Sequence, residues 1–178
     1  MMKELTIGID IGGTNTKFGV VDREGKVYHQ GNIATTDYEE FNDFFDAMAE
    51  ALREAMNQLP PNTQVVGIGI GAANGNYYKG TIERATNLRW KGVLPLAKMF
   101  TEEFGVPCIL TNDANAAAVG EMIYGNAKGM KDFVVSTLGT GLGSGFVCGG
   151  VLLNGHHGVA GEVGHTSVNP TGRFCNCG

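Results

Sequence analysis

A chain of 178 residues, 43% hydrophobic and 17% charged, holds enough apolar material for an ordinary buried core and lacks the bias of a disordered, fibrous or collagen-like polymer. Its formal net charge of -5 repels phosphate backbones and anionic lipid, which argues against nucleic acid and membrane surfaces as partners and leaves small molecules. No apolar stretch approaches the roughly 20 residues that span a bilayer. Cys108, Cys148, Cys175 and Cys177 are too few and too unevenly spaced for a secreted disulfide framework, so the sequence reads as cytoplasmic.

Residues 4–11, 17–22 and 26–34 read as three short strands. The turns between them, Gly12-Gly13-Thr14-Asn15 and Asp22-Arg23-Glu24-Gly25, predict an antiparallel meander. Phe41, Phe44, Phe45, Met48, Leu52 and Met56 recur at three-to-four spacing and predict a helix over 38–58, with Thr36 and Glu39 as a capping box and Pro60-Pro61 as its stop. Val65 to Ile70 predicts a buried strand, residues 95–104 a second helix, and 106–111 a further strand. Asn112-Asp113-Ala114-Asn115 then opens an Ala-rich helix reaching about Tyr124. Two apolar runs, 133–138 and 145–153, flank a Gly-rich turn and look like the opening of a second copy of the first meander, unfinished at Gly178. This order predicts an α/β fold divided into residues 1–112 and 113–178.

Four constellations carry chemistry. In Asp10-Ile11-Gly12-Gly13-Thr14-Asn15-Thr16-Lys17, paired glycines let the backbone approach an anion, and a carboxylate at the strand end can hold Mg²⁺ through water. A plain hairpin would also use Gly-Gly; Asp10 favours the phosphate site, because an unpaired buried carboxylate on an apolar strand is costly. The run Thr137 to Gly145 misses the dinucleotide GxGxxG spacing and has no Walker ending. Two such strand-turn-strand loops, one in each copy, would face each other across a cleft and hold phosphates from both sides.

The third constellation is Thr111-Asn112-Asp113-Ala114-Asn115 at a strand's carboxyl end, where ligands of open α/β sheets collect. Asp113 reads either as a helix N-cap or as a general base, and the helix N-terminus suits both. The fourth is Gly161-Glu162-Val163-Gly164-His165 followed by Cys175-Asn176-Cys177. His165, Cys175 and Cys177 could supply three of the four ligands of a structural zinc, or be an ordinary hydrogen-bonding histidine and two reduced thiols.

Taken in order, these four motifs resemble those of the ROK sugar kinases, and the segment Gly71 to Trp90 is similar to that family's sugar-proximal stretch. The resemblance implies an actin-like, ribonuclease-H-like pair of domains closing over ATP and a hexose, with a complete N-terminal domain and the start of a second. It assigns Asp113 as base for the acceptor hydroxyl, and Gly75, Asn87, Asn112, Asp113, Glu162 and His165 to the sugar. Gly12, Gly13, Thr14, Asn15 and Lys17, with Gly139, Thr140 and Gly141, would contact phosphates, Asp10 would serve Mg²⁺, and His165, Cys175 and Cys177 would ligate zinc.

The implied reaction is ATP-dependent phosphorylation of glucose, at the entrance to glycolysis, with N-acetylmannosamine, fructose or allose as alternative acceptors. Non-catalytic, sugar-responsive regulators share the motifs but carry a helix-turn-helix ahead of the phosphate loop, which here begins within ten residues of Met1. The family pattern also runs on to another Cys, a sugar-binding Glu and an adenosine pocket. The expectation is therefore little turnover from these 178 residues alone, weakened zinc binding, and uncovered apolar surface through which copies associate as a homo-oligomer.

Overall fold

The computed structural model describes residues 2–85, 87–139 and 141–175. Strand β1 (Lys3–Ile11) obeys the two-residue period of a half-covered sheet: Leu5, Ile7, Ile9 and Ile11 are buried on one face, while Glu4, Thr6, Gly8 and Asp10 turn to the other. Strand β2 (Asn15–Asp22) returns antiparallel to it and sets Lys17 opposite Asp10, and β3 (Val27–Ala34) completes the predicted meander.

Helix α1 (Phe41–Asn57) begins three residues later than its apolar period suggested, and the Thr36–Glu39 capping box does not form. Thr35 is tied back to the meander instead. Its amide donates to Thr14 O at 2.9 Å, and its hydroxyl lies 2.9 Å from that of Thr16, so residues 35–37 make a 3-10 turn before the helix can start. The helix buries Phe44, Phe45, Met48, Leu52 and Ala55 beneath the sheet.

Strand β4 (Thr63–Ala72) lies parallel to β1 and places Gly71 opposite Asp10. Three short strands follow that carry too little alternation to be read from sequence: β5 (Gly75–Asn76), β6 (Thr81–Glu83) and β7 (Val93–Leu94), a separate small sheet. Helix α2 (Leu96–Phe104) ends at Gly105 with φ +67, the left-handed cap that glycine adopts without strain. Its Phe100 meets Phe45 of α1 with ring centroids 5.0 Å apart, so both helices cover one sheet face. Strand β8 (Cys108–Thr111) closes a five-stranded sheet of order β3-β2-β1-β4-β8.

Helix α3 (Asp113–Ile123) crosses the opposite face. Only small residues permit this approach: a Cβ on Gly71 would sit 3.1 Å from Ala116 Cβ. The chain then makes a second meander, β9 (Phe133–Leu138), β10 (Leu142–Cys148) and β11 (Val151–Leu152), in the order β11-β10-β9. A Cβ on Gly145 of β10 would lie 2.7 Å from both Ala114 O and Ala118 Cβ, so α3 is the hinge of contact between the two sheets. The expected division between residues 112 and 113 falls at the start of α3. Among the described residues no helix is long and apolar enough to cross a membrane.

Candidate active site

The sheet face turned away from α1 and α2 forms one wall of a cavity of about 930 Å³. Its floor is Gly8, Gly69 and Gly71, and its polar rim is assembled from separate segments: Asp10 of β1, Lys17 of β2, Thr111 of β8, Asp113 of α3 and Thr137 of β9. Asp10 and Asp113, 103 positions apart in the chain, thus serve one space. Parallel β1, β4 and β8 end side by side, and the ligand edge of an open α/β sheet lies beyond such ends.

Asp10 is exposed to this cavity, not buried in the apolar core as its sequence context suggested. Pleating explains the difference, since the apolar residues of β1 share the other face. Partial desolvation raises the Asp10 carboxyl above its ordinary value, the charge of Asp113 raises it further, and Lys17 opposes both. Asp10 and Asp113, two acidic side chains open to one cavity, offer hard oxygen donors of the kind that Mg²⁺ takes, so the residue types present fit that ion.

The two glycine turns differ. Gly12 donates its amide to Asn15 O at 3.1 Å, and a Cβ on Gly12 or Gly13 would lie 2.8 Å from Asn15 O or 2.5 Å from Asn87 O. Close packing by the protein itself therefore requires these glycines. Thr14, Asn15 and Lys17 stand exposed around the turn. In the second turn, Gly139 donates to Gly141 O at 3.0 Å, and a Cβ at either glycine would meet nothing within 4 Å. Thr140 lies outside the described residues.

At the start of α3 the cap is taken by Asn112, whose Oδ1 accepts from Ala114 N at 2.9 Å and Asn115 N at 3.4 Å. The reading of Asp113 as N-cap is thereby corrected. Asp113 is the first helical residue, exposed at the cavity, with Oδ1 accepting the adjacent Ala114 amide at 2.8 Å. The other end of the Asn112 amide donates to Glu162 Oε1 at 3.2 Å, and Glu162 Oε2 lies 3.7 Å from His165 Nε2. Asn112, Asp113, Glu162 and His165, from two distant segments, are thus brought together.

Gly75 is buried, and any side chain there would collide with Thr111 O, so its part is to let β5 approach β8. Asn87 lies exposed over the Gly12-Gly13 turn through its backbone oxygen. Thr111, which opens the third constellation but carries no role of its own in the sequence reading, lines the cavity with a hydroxyl that has no protein partner. Among the described residues no three His, Cys, Asp or Glu side chains converge to hold a metal ion. Of the implied zinc ligands, His165 faces Glu162 and Cys177 lies outside the described residues, so the described set does not fit zinc.

The profile of the ROK family matches residues 6–178. A glucokinase of Streptomyces coelicolor is 40% identical over 175 residues, covering 98% of this chain and 53% of that protein. The xylose repressor of Caldicellulosiruptor bescii is 38% identical over 136 residues, 75% of this chain and 33% of that protein. Among solved structures, a ROK family glucokinase from Streptomyces griseus in complex with glucose and AMPPNP superposes with a TM-score of 0.78 at 39% identity, over 98% of this chain and 54% of that one. The chain spans about half the length of the glucokinases it matches. The α/β, actin-like ATPase fold expected from the resemblance is the fold observed.

Proposed function

This chain belongs to the ROK family, and on that premise we propose that it carries the sugar- and phosphate-facing part of an ATP-dependent hexose kinase, with glucose as acceptor. One observation carries the reading: Asn112 takes over the helix cap and leaves the Asp113 carboxylate open to the cavity, while its own amide is tied to Glu162. A carboxylate there can accept the proton of a sugar hydroxyl as the oxygen attacks phosphorus.

Asn87, Asn112, Glu162 and His165 would fix the sugar by hydrogen bonds to its hydroxyls, and a site built on such bonds rejects analogues that lack them. Gly75 admits the close backbone approach. The amides of Gly13 and Gly141, in turns that Gly12 and Gly139 close by their own amide bonds, and the side chains of Thr14, Asn15 and Thr140 would orient phosphate oxygens, and Lys17 would offset their charge. Mg²⁺ held near Asp10 would supply charge neutralisation on the transferring group. Zinc on His165, Cys175 and Cys177 is implied by the family pattern alone, and no step depends on it.

In a coupled assay of sugar-dependent ADP release on a chain extended to the length of its glucokinase relatives, Asp113→Asn is expected to lower turnover about 10²- to 10⁴-fold, the usual contribution of a positioned base. Glucose affinity, measured by calorimetric titration, should change little, because the substitution keeps the size of the side chain. Unchanged turnover would remove Asp113 from its role. The xylose repressor among the relatives supports a second reading, sugar binding without phosphoryl transfer. Glucose or xylose binding with no ADP release from the extended wild-type chain would favour that reading, and a sugar panel in the same assay would rank N-acetylmannosamine and fructose against glucose.

A further inference from the structure

Glu162 and His165 sit on a loop with unusual backbone freedom. Between β11 and residue 165 it contains Gly155, Gly158 and Gly161, all with positive φ, at +71, +78 and +88. Glycine at such positions is free of strain but contributes no side chain to hold the loop in place. At its far end the loop is tied to its own sheet, where the Ser144 hydroxyl donates to Gly161 O. Its near end is held from elsewhere, by Asn76 of the small sheet.

Asn76 is only 8% exposed, and both ends of its amide are engaged. Oδ1 accepts the amides of Tyr78 at 3.1 Å and Lys79 at 3.2 Å, an Asx-type turn that the backbone closes through Gly80 N to Asn76 O at 2.9 Å. Nδ2 donates to His157 O at 3.2 Å, across 81 positions of sequence. Gly158 is buried against the same amide, and a Cβ there would lie 3.2 Å from Asn76 Oδ1. One side chain therefore shapes the hairpin that follows Gly75 and latches that hairpin to the loop bearing Glu162 and His165.

Resting on the hexose-kinase reading above, we propose that Asn76 is a positioning residue for the sugar, setting Glu162 and His165 relative to Asn112 and Asp113 without touching substrate. A displacement of about 1 Å in such a constellation is enough to cost on the order of a hundredfold in rate, so a latch on a glycine-rich loop has functional weight. Neither end of it stands out in the sequence, because Asn76 and His157 lie 81 positions apart, one in the small sheet and the other in a turn after β11.

Asn76→Asp separates the two tasks of the side chain. It keeps an acceptor for Tyr78 and Lys79, removes the donor to His157 O, and sets a carboxylate against that carbonyl. By hydrogen exchange with mass spectrometry on the 178-residue chain, the variant should exchange amides 155–165 about tenfold faster, with α1 and β1 unchanged, as expected for a local opening. Titration should show glucose affinity reduced about tenfold while exchange in α1 and β1 stays at the wild-type level, a split that a general loss of folding would not produce. Gly158→Ala attacks the latch from its other side and should give the same pattern.

Unchanged exchange over 155–165 in both variants overturns the latch. Faster exchange with glucose affinity intact overturns the positioning role. If the wild-type chain binds no glucose, the sugar reading fails by itself, and the exchange data still decide whether Asn76 secures the loop.

Discussion

The two meanders of this chain are built alike and end differently. Each runs strand, glycine turn, strand, tight turn, strand, with neighbours paired antiparallel. In the first, α1 and α2 lie under the sheet, and Leu5, Ile7, Ile11 and Val20 lose essentially all contact with solvent. In the second, α3 covers part of one face, where Gly145 and Val147 of β10 are buried, whereas Val134 stays 51% exposed and Leu138 87%. The same local pattern therefore gives a core in one place and an open sheet in the other. Strand alternation specifies which residues share a face; burial depends on what packs against it.

The sharpest way to break this comparison is to remove apolar bulk from each half. Phe44 is fully buried, with its ring centroid 4.5 Å from that of Trp90. Phe44→Ala should destabilise the protein by about 3–5 kcal/mol in chemical denaturation, the transfer and cavity cost of an aromatic core residue. Val134→Ala should stay within about 0.5 kcal/mol, as for other exposed positions. Equal losses would mean that the second sheet is covered in solution.

A smaller effect tests the joint between the halves. Gly145→Ala sets a methyl against Ala114 O and Ala118 Cβ and should cost about 1–3 kcal/mol, the usual range for overpacking. Gly8→Ala places the same methyl on the cavity face of β1, where nothing lies within 4 Å, and should be neutral. A neutral Gly145→Ala would show that α3 does not rest on β10.

The smallest contrast lies in the acids that hold the outer turns. Asp22 is buried and receives Lys3 Nζ at 2.6 Å, the amides of Glu24 and Lys26 at 3.0 and 2.9 Å, and the Tyr28 hydroxyl at 3.2 Å. The Lys3 contact above all holds its carboxyl down to about 2, from an ordinary 3.8. A depressed folded-state value means stabilisation that is fully present above pH 4 and disappears as the pH falls toward 2. Asp22→Asn should therefore melt below wild type at pH 7, and the gap should close by about pH 2. Asp132 is exposed and accepts from Gly149 N at 2.8 Å and from the Cys148 thiol, with no cation against it among the described residues, so Asp132→Asn should move the melting temperature less.

The fold was legible where chemistry repeats along the chain. The apolar spacing of α1, the alternation of β1 and the stop at Pro60-Pro61 predicted their elements to within a few residues, and the ordered motifs pointed to the ROK family and its fold. The small sheet was not legible, since strands of two or three residues leave no periodic trace. At the site, Asn112 and Asp113 are neighbours that both suit a cap, and spacing could not divide the work between them. Their surroundings do: Asn112 bonds the helix amides with one end and Glu162 with the other.

Amino-acid order alone determined the longer strands, the glycine turns and the residue types available for phosphate and sugar, because alternation, helical period and turn chemistry act over a few neighbours. Tertiary structure alone decided that Asp10 faces a cavity, that Asp113 shares it, and that Asn76 holds a loop 81 positions away. Those outcomes depend on which sheet faces are left uncovered and which chain ends meet, and such contacts are set by packing between distant segments, not by any local run of residues.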